Sequence, residues 1–329
     1  QIKNLKYIEI FNKYFDNKYT IYEKEIAKNI YEISICTDET IRSLLTFTLL
    51  FLLFVMLKGE DYCQLDSPLV AKYIQYLEII DSPYFIKYVF KVNLLRVYND
   101  FEKYKSILEK SDKDKITIDY GDTALQRQKF ILQNFDINKN IIDIGSGIGK
   151  YGLKIAEKLN TDCDYIAIDI DKDARRKIYW KSKNRKLSNV KIFKSFQHMG
   201  QYDDLFNKKW LSLNSMVLLI EVIEHMGYDE ANRLLRSIEE RFELNEFHSI
   251  LISTPNKDFN KYYFFEENEL RHEDHKFELS MDDFRIFINN IFNNKGYHQE
   301  YFNIGDSING VTPTQAIKIT KRENNENTN

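Results

Sequence analysis

Two carboxylates and an imidazole fall within five positions of this chain: Glu221, Glu224 and His225, in the run MVLLIEVIEH that begins at Met216. The apolar residues ahead of them read as a buried strand, and open α/β sheets gather their ligands at the carboxyl ends of such strands. In a helical turn after the strand, residues three and four apart share a face, which brings Glu224 and His225 towards Glu221. Three chemistries come into question. General acid–base work needs one carboxylate with a raised pKa, which a like charge nearby provides. An inverted zinc-protease motif is excluded, because it requires His where this chain has Glu221. A hard or borderline cation suits two carboxylates and an imidazole, given a further ligand. A helix start whose acids favour the macrodipole explains one Glu but not the triplet. The segment RHEDHKF, residues 271 to 277, is the candidate source of the further ligand, with His272 and His275 in it.

A second motif, IIDIGSGIGK over residues 141 to 150, is an apolar strand running into a glycine-rich turn. Gly145, Ser146, Gly147 and Gly149 let the backbone turn tightly and approach a ligand, as in dinucleotide sites. That spacing alone leaves a dinucleotide, another nucleoside cofactor and a plain tight turn open. Two acids favour S-adenosylmethionine. Asp143, inside the strand, needs a buried partner that a methionine ammonium or its ordered water supplies. Asp169, at the tip of the next strand, is placed to hold the two hydroxyls of an adenosine ribose. Ser195 and Phe196, after the third strand, are expected to flank the adenine.

These motifs need elements to position them, and the chain is long enough for two domains at 329 residues. From about residue 120, short apolar strands alternate with amphipathic helices, which predicts a Rossmann-like α/β domain with a mostly parallel sheet. Seven strands are expected, at 141–144, 165–168, 191–193, 216–220, 249–252, 299–302 and 315–319, in a domain spanning 120–320. Residues 1–110 read as an all-α domain of unknown role, 111–119 as a solvated linker and 321–329 as a disordered tail. Two Asp-Ser-Pro triplets, at Pro68 and Pro83, are expected to start helices. The apolar run from Leu44 to Leu57 is short for a membrane span and reads as a buried helix, so no membrane is expected. Cys36, Cys63 and Cys163 lack metal-ligand spacing, and a reducing cytoplasm fits them. A net charge of −3 excludes bulk attraction to nucleic acid, so any such contact must be local.

Glu-x-x-Glu-His occurs in several methyltransferases, but here it is followed in order by Ser253-Thr-Pro-Asn256, Asp258-Phe-Asn260 and Arg271-His-x-Asp-His275-Lys-Phe-Glu278. In this combination the chain resembles the 3'-terminal RNA ribose 2'-O-methyltransferases, a family that includes the small-RNA enzymes of plants and animals and bacterial RNA-repair relatives. The resemblance spans roughly residues 120 to 320. It implies methyl transfer from S-adenosylmethionine to the 2'-hydroxyl at an RNA 3' end, with one Mn²⁺ or Mg²⁺ held by Glu221, Glu224, His225 and His275. Mixed Glu and His ligands suit Mn²⁺ better. Two remaining positions of an octahedral shell would take the vicinal hydroxyls of a terminal ribose, which an internal nucleotide lacks. The resemblance further implies cofactor contacts by Asp143, the glycine turn, Asp169 and Ser195. Gln126 and Arg127 resemble a family Gln-Arg pair. His272 is a candidate general base, and Arg271 and Asn256 candidate RNA contacts. An RNA-repair kinase, phosphatase and ligase are the implied partners, with residues 1–110 as the docking part. Two other readings stay open: a catechol or ubiquinone-type O-methyltransferase, and a non-catalytic interaction module.

Overall fold

Asn140–Ile144 (NIIDI) is buried along its whole length, as expected of a strand covered on both faces. In the computed structural model, which describes residues 6–15, 18–58, 65–263, 269–293 and 296–321, the chain divides into two units. The first comprises Gln1–Asp122, Lys261–Glu267 and Asp306–Val311; the second comprises Thr123–Asn260, Asn268–Gly305 and Thr312–Asn329.

In the first unit, helix α1 (Lys6–Phe15) precedes a hairpin of β1 (Thr20–Ala27) and β2 (Ile30–Cys36). Then follow α2 (Ile41–Lys58), α3 (Ser67–Ile79), α4 (Tyr84–Leu94), α5 (Tyr98–Glu109) and the short β3 (Ile116–Thr117). The hairpin corrects the expectation of an all-α region. Strand β1 is exposed over its last six residues, with Glu23, Lys24 and Glu25 among them, and β2 alternates exposed and half-buried residues, so no buried apolar run announced them. Asp66 caps α3 by accepting from the Leu69 amide, with Pro68 in the first turn, as the triplet predicts. Pro83 stands at the start of α4 without a side-chain cap. The linker expectation is corrected in part. Ile116 and Ile118 are buried, and β3 pairs with Ser307–Ile308.

Among the described residues α2 is the one helix long and apolar enough to cross a membrane. One face packs into an aromatic cluster, with Phe11 4.9 Å from Phe51 and 5.2 Å from Phe54, and Tyr19 stacked on Phe47 at 4.2 Å. The other face, with Leu45, Leu52 and Met56, is exposed, so the helix is buried on one side only.

The second unit opens with α6 (Thr123–Asn134) and β4 (Asn140–Ile144), then α7 (Gly152–Ala156), β5 (Tyr165–Ile168), α8 (Lys172–Asn184), β6 (Val190–Phe193) and α9 (Phe196–Phe206). It continues with β7 (Ser215–Ile220), α10 (Tyr228–Glu243), β8 (Ser249–Pro255), α11 (Met281–Asn289), β9 (Tyr297–Ile304) and, after the first unit's β10 (Ser307–Ile308), β11 (Thr314–Lys321). All seven expected strands are present, in the order β6-β5-β4-β7-β8-β11-β9, with β11 antiparallel to both neighbours and the other pairs parallel. This is the seven-stranded mixed sheet of a class I methyltransferase fold. Side chains alternate between two cores. Ile142, Val217 and Leu219 enter one, while Ile141, Met216 and Leu218 enter the other. Helix α10 seals the first of these with Ala231, Leu235, Ile238 and Phe242, spaced at helical intervals. The crossover direction changes between β4 and β7, and both chemical motifs begin at the ends of these strands. Of the expected tail, only residue 321 falls inside the described residues, where it ends β11; Cys63 lies outside them as well.

Candidate active site

The strand β7 ends at Ile220, paired in register with Ser253 of β8, and the chain then turns at Glu221 in the left-handed region (φ 54°). A non-glycine residue there is strained, and such strain collects at functional sites. The next residue explains the glycine turn. A Cβ on Gly145 (φ +74°) would meet a Val222 methyl at 2.6 Å, so the two motifs pack against each other only with glycine at 145. Ile223–His225 then form one 3-10 turn.

That turn buries Glu224 completely. Its Oε2 accepts the Thr254 hydroxyl at 3.1 Å, while Oε1 is buried without a hydrogen-bond partner. Burial, reinforced by the charge of Glu221, pushes the Glu224 carboxyl well above the usual carboxylate range. The amide of Lys276 donates to the Glu224 carbonyl at 2.7 Å, fastening the 271–278 segment over the turn. His275 is thereby brought to His225, with ring centroids 4.9 Å apart. Glu224, His225 and His275 each present a ligand atom within 4.8 Å of the others. Burial and the neighbouring His275 lower the pKa of His225, favouring the neutral imidazole that binds metals.

Glu221 stands outside this set. One oxygen accepts from Ser253 at 3.1 Å and the other pairs with the Arg127 guanidinium at 3.2 Å. His272 is exposed, its ring 5.7 Å from that of His275 and its Nδ1 3.5 Å from Asp274. Sequence reasoning gave Glu278 no role. Its Oε1 meets His275 Nδ1 at 2.5 Å, and Oε2 accepts from Asn260 at 2.7 Å. Burial pushes this carboxyl up, but the bonds from His275, Asn260 and the Arg271 amide outweigh it and the pKa falls, so Glu278 stays ionised. The pair fixes the His275 ring and leaves Nε2 for a ligand. The three-residue spacing from His275 to Glu278 was the available signal. Glu278→Gln is expected to weaken cation binding by about 10- to 100-fold, read by titration of Mn²⁺; unchanged affinity would remove this role.

The glycine turn opens onto a cavity of about 470 Å³, lined by Gly145, Ser146, Gly147, Tyr151, Arg127 and Glu221 among others. A Cβ on Gly147 (φ +54°) would meet nothing within 4 Å, so the backbone there is bare for a ligand. The Gly147 amide donates to Asp169 at 2.7 Å, fixing that carboxylate beside the turn. Gly149 (φ +70°) faces inward instead, towards Ile178 and Leu153.

Several residues expected to contact ligands have partners within the chain. Asp143 is fully buried, and its oxygens accept from the hydroxyls of Tyr151 at 2.7 Å and Tyr165 at 2.5 Å. The chain itself thus supplies the partner expected from the methionine moiety, and Tyr151 is the group that reaches the cavity. Burial pushes Asp143 up to about 7 against the pull of these hydroxyls. Gly152 makes room for the arrangement, since a Cβ there would fall 1.8 Å from the Tyr165 hydroxyl. Ser195 caps α9 by accepting from His198, and Phe196 packs against Phe247 beneath Arg241. Both therefore serve the helix and the core. Arg271 spends its guanidinium on the Asn256 and Pro313 carbonyls and on Asn260, which leaves it clamping chain rather than phosphate. Asn256 is fully buried, with its Oδ1 accepting the Asp258 amide at 3.0 Å and its Nδ2 without a hydrogen-bond partner.

Comparison with known proteins gives this geometry a context. Residues 1–113 match the Hen1 N-terminal domain, and residues 135–256 match a methyltransferase domain. A small RNA 2'-O-methyltransferase of Tetrahymena thermophila is 34% identical over 83 residues, which cover 25% of this chain and 19% of that protein. A chain in the structure of the Pnkp1/Rnl/Hen1 RNA repair complex superimposes with a TM-score of 0.75 at 26% identity, covering 95% of this chain and 69% of its own length. The crystal structure of small RNA methyltransferase HEN1 matches at 20% identity with a TM-score of 0.50, over 63% of this chain and 27% of that one, a likeness of fold.

Proposed function

Because the chain belongs to the Hen1 family of small-RNA 2'-O-methyltransferases, we propose that it methylates the 2'-hydroxyl of the 3'-terminal ribose of RNA, using S-adenosylmethionine and one divalent cation. The observation that carries the reading is the buried, partnerless Oε1 of Glu224 beside two imidazoles. A buried carboxylate oxygen without a donor is costly, and a cation relieves it. The donor set of carboxylate and imidazole suits Mn²⁺ better than Mg²⁺. Glu224, His225 and His275 would hold the ion, with Glu221 joining them on leaving Arg127.

A divalent cation bound there acidifies the 2'-hydroxyl and neutralises the developing alkoxide. The chain's own groups do the remaining work. Asp169, fixed by the Gly147 amide, accepts from the ribose hydroxyls of S-adenosylmethionine. Ile170, next along and 91% exposed, offers the apolar surface that its adenine covers, in place of Ser195 and Phe196. His272 takes the proton leaving the 2'-oxygen; that oxygen then forms its bond to the methyl carbon as the sulfonium sulfur departs as a thioether. Glu278 keeps His275 oriented throughout.

The company of Pnkp1 and Rnl in the structure of the RNA repair complex supports a place for this protein beside RNA-repair enzymes, with residues 1–113 as the docking part. Cys36 and Cys163 are unpaired thiols, in keeping with a reducing cytoplasm.

The test is transfer of a labelled methyl group to RNAs ending in an intact ribose diol, a 3'-phosphate, a 2'-deoxyribose or a periodate-opened ring, with and without Mn²⁺. Only the intact diol is expected to accept, and only with the cation. Equal labelling of the 3'-phosphate RNA, or transfer to a catechol with none to RNA, defeats the proposal.

A further inference from the structure

Helix α8 (Lys172–Asn184) carries charge out of proportion to the chain. From Lys172 to Lys186, eight Lys or Arg accompany one Asp, in a protein of net charge −3. Part of this charge is structural. Arg175 donates to the carbonyls of Asp169 and Ile170, Lys181 to that of Ile148, and Arg185 pairs with Glu157. The rest is organised differently. Lys172, Arg176, Tyr179, Trp180 and Lys183 follow at intervals of four, three, one and three residues, which sets them on one face of the helix. Ala174, Ile178 and Ser182 lie buried on the other. The three cations of the stripe make no hydrogen bond or ion pair among the described residues.

Two aromatic rings stand among those cations in water. Tyr179 is 46% and Trp180 56% exposed, their centroids 5.3 Å apart at 76°. The chain's other tryptophan, Trp210, is 1% exposed and belongs to the core. Exposed charge alone marks a solvated helix face, but a solvated face gains nothing from an indole. Cations interleaved with exposed rings, Lys183 Nζ lying 5.7 Å from the centre of the Tyr179 ring, suit a polymer that alternates phosphates with flat bases. An acidic protein segment would use the charges and leave the rings idle.

The helix is also placed to receive such a polymer. Asp171 caps it two residues after Asp169, and Arg175 ties its first turn to the strand tip beside the cavity. We propose that this stripe of α8 is a docking surface for single-stranded RNA, holding the strand upstream of its 3' end by phosphate contacts to Lys172, Arg176 and Lys183 and by stacking of bases on Tyr179 and Trp180. The choice of RNA rests on the function proposed above. It answers the local-contact requirement set by the acidic chain, because the surplus positive charge is concentrated on one helix that starts beside Asp169.

The test uses the whole chain and a labelled single-stranded oligoribonucleotide, followed by anisotropy and tryptophan emission. Binding is expected to quench the exposed indole, and Trp180→Phe should remove the quench while retaining most affinity. The pair Tyr179→Ala and Trp180→Ala should weaken binding about tenfold or more, the worth of one stacked base. Replacing Lys172, Arg176 and Lys183 by Gln should reduce the slope of log affinity against log salt by about two. Unchanged affinity and slope in both sets overturn the proposal, as does an acidic peptide or heparin that binds as tightly as RNA and is equally sensitive to the loss of the two rings. If RNA ends are methylated yet these variants bind normally, the docking surface alone fails. If the stripe binds RNA and no diol-dependent methylation occurs, the function alone fails.

Discussion

Glu224→Gln is expected to lower methyl transfer by about 10³-fold, some 4 kcal/mol of barrier, while the protein becomes more stable. The two effects have one cause. In the free protein Glu224 is a buried carboxylate with one oxygen unpaired and Glu221 nearby, so its ionised form opposes folding. Its pKa is raised in the folded state, so the native protein holds a proton that the unfolded chain has released. Stability therefore falls as pH rises from the ordinary carboxylate value towards the raised one, and the Gln variant loses that slope. With Mn²⁺ the order reverses. A cation that binds only the native state raises the melting temperature of the wild type with the logarithm of its concentration above Kd, and the variant should show little of this rise. Thermal unfolding with and without Mn²⁺, together with the labelled-methyl assay, separates a lost ligand from a damaged fold. A variant that is inactive and also less stable without metal would contradict the account.

The central strands β4, β5, β7 and β8 could be read from sequence because each is a short apolar run closed by a polar tip, and a sheet covered on both faces leaves no other use for such runs. The same logic placed Glu221, Glu224 and His225 at a strand end. It did not reach the partners. Asp143 reads as a carboxylate awaiting a ligand until Tyr151 and Tyr165, 8 and 22 residues away, close on it. Nothing in the local pattern around Tyr165 marks its hydroxyl as buried, and only the absent Cβ of Gly152 allows it. Arg271 and Asn256 also have chain partners that the sequence hides. Polar residues in a motif rich in site residues suggest ligand contacts, but a segment crossing over a sheet must satisfy buried backbone carbonyls, and a guanidinium does so with several donors at once. Ser195 shows the same ambiguity on a smaller scale, since a serine before a helix is a cap before it is anything else. The hairpin Thr20–Cys36 escaped because β1 is charged and exposed, although β2 alternates in the manner of a strand and Asn29 marks the turn with a positive φ.

Removing Lys91 is expected to destabilise the first unit by about 3–5 kcal/mol, the cost of leaving a buried carboxylate without its counter-ion. Lys91 on α4 and Asp306 have fully buried side chains and meet at 2.5 Å. Burial pulls the Lys91 pKa down and Asp306 pulls it back up, so each charge depends on the other. The surrounding bonds are complete. Asp306 also accepts from the Tyr84 hydroxyl at 2.8 Å and the Asp119 amide at 2.9 Å, and Lys91 donates to the Asp119 carbonyl at 3.1 Å. Lys91→Met strips the cation from this nest, whereas Lys91→Met with Asp306→Asn removes the orphaned charge while keeping an acceptor for the Tyr84 hydroxyl or the Asp119 amide, and should recover part of the loss. Tyrosines occur in both units, so hydrogen exchange in α4 and 306–311 reports the first unit's transition in denaturant. Equal stability of single and double variants would show that the pair carries no such weight. The arrangement also bears on truncation. Asp306–Val311 belongs to the first unit although it lies between β9 and β11 of the second, so a chain cut at residue 122 keeps Asp306 and loses Lys91, Tyr84 and Asp119 together. Such a fragment should expose the 306–311 segment to exchange and proteolysis even where its seven-stranded sheet still folds.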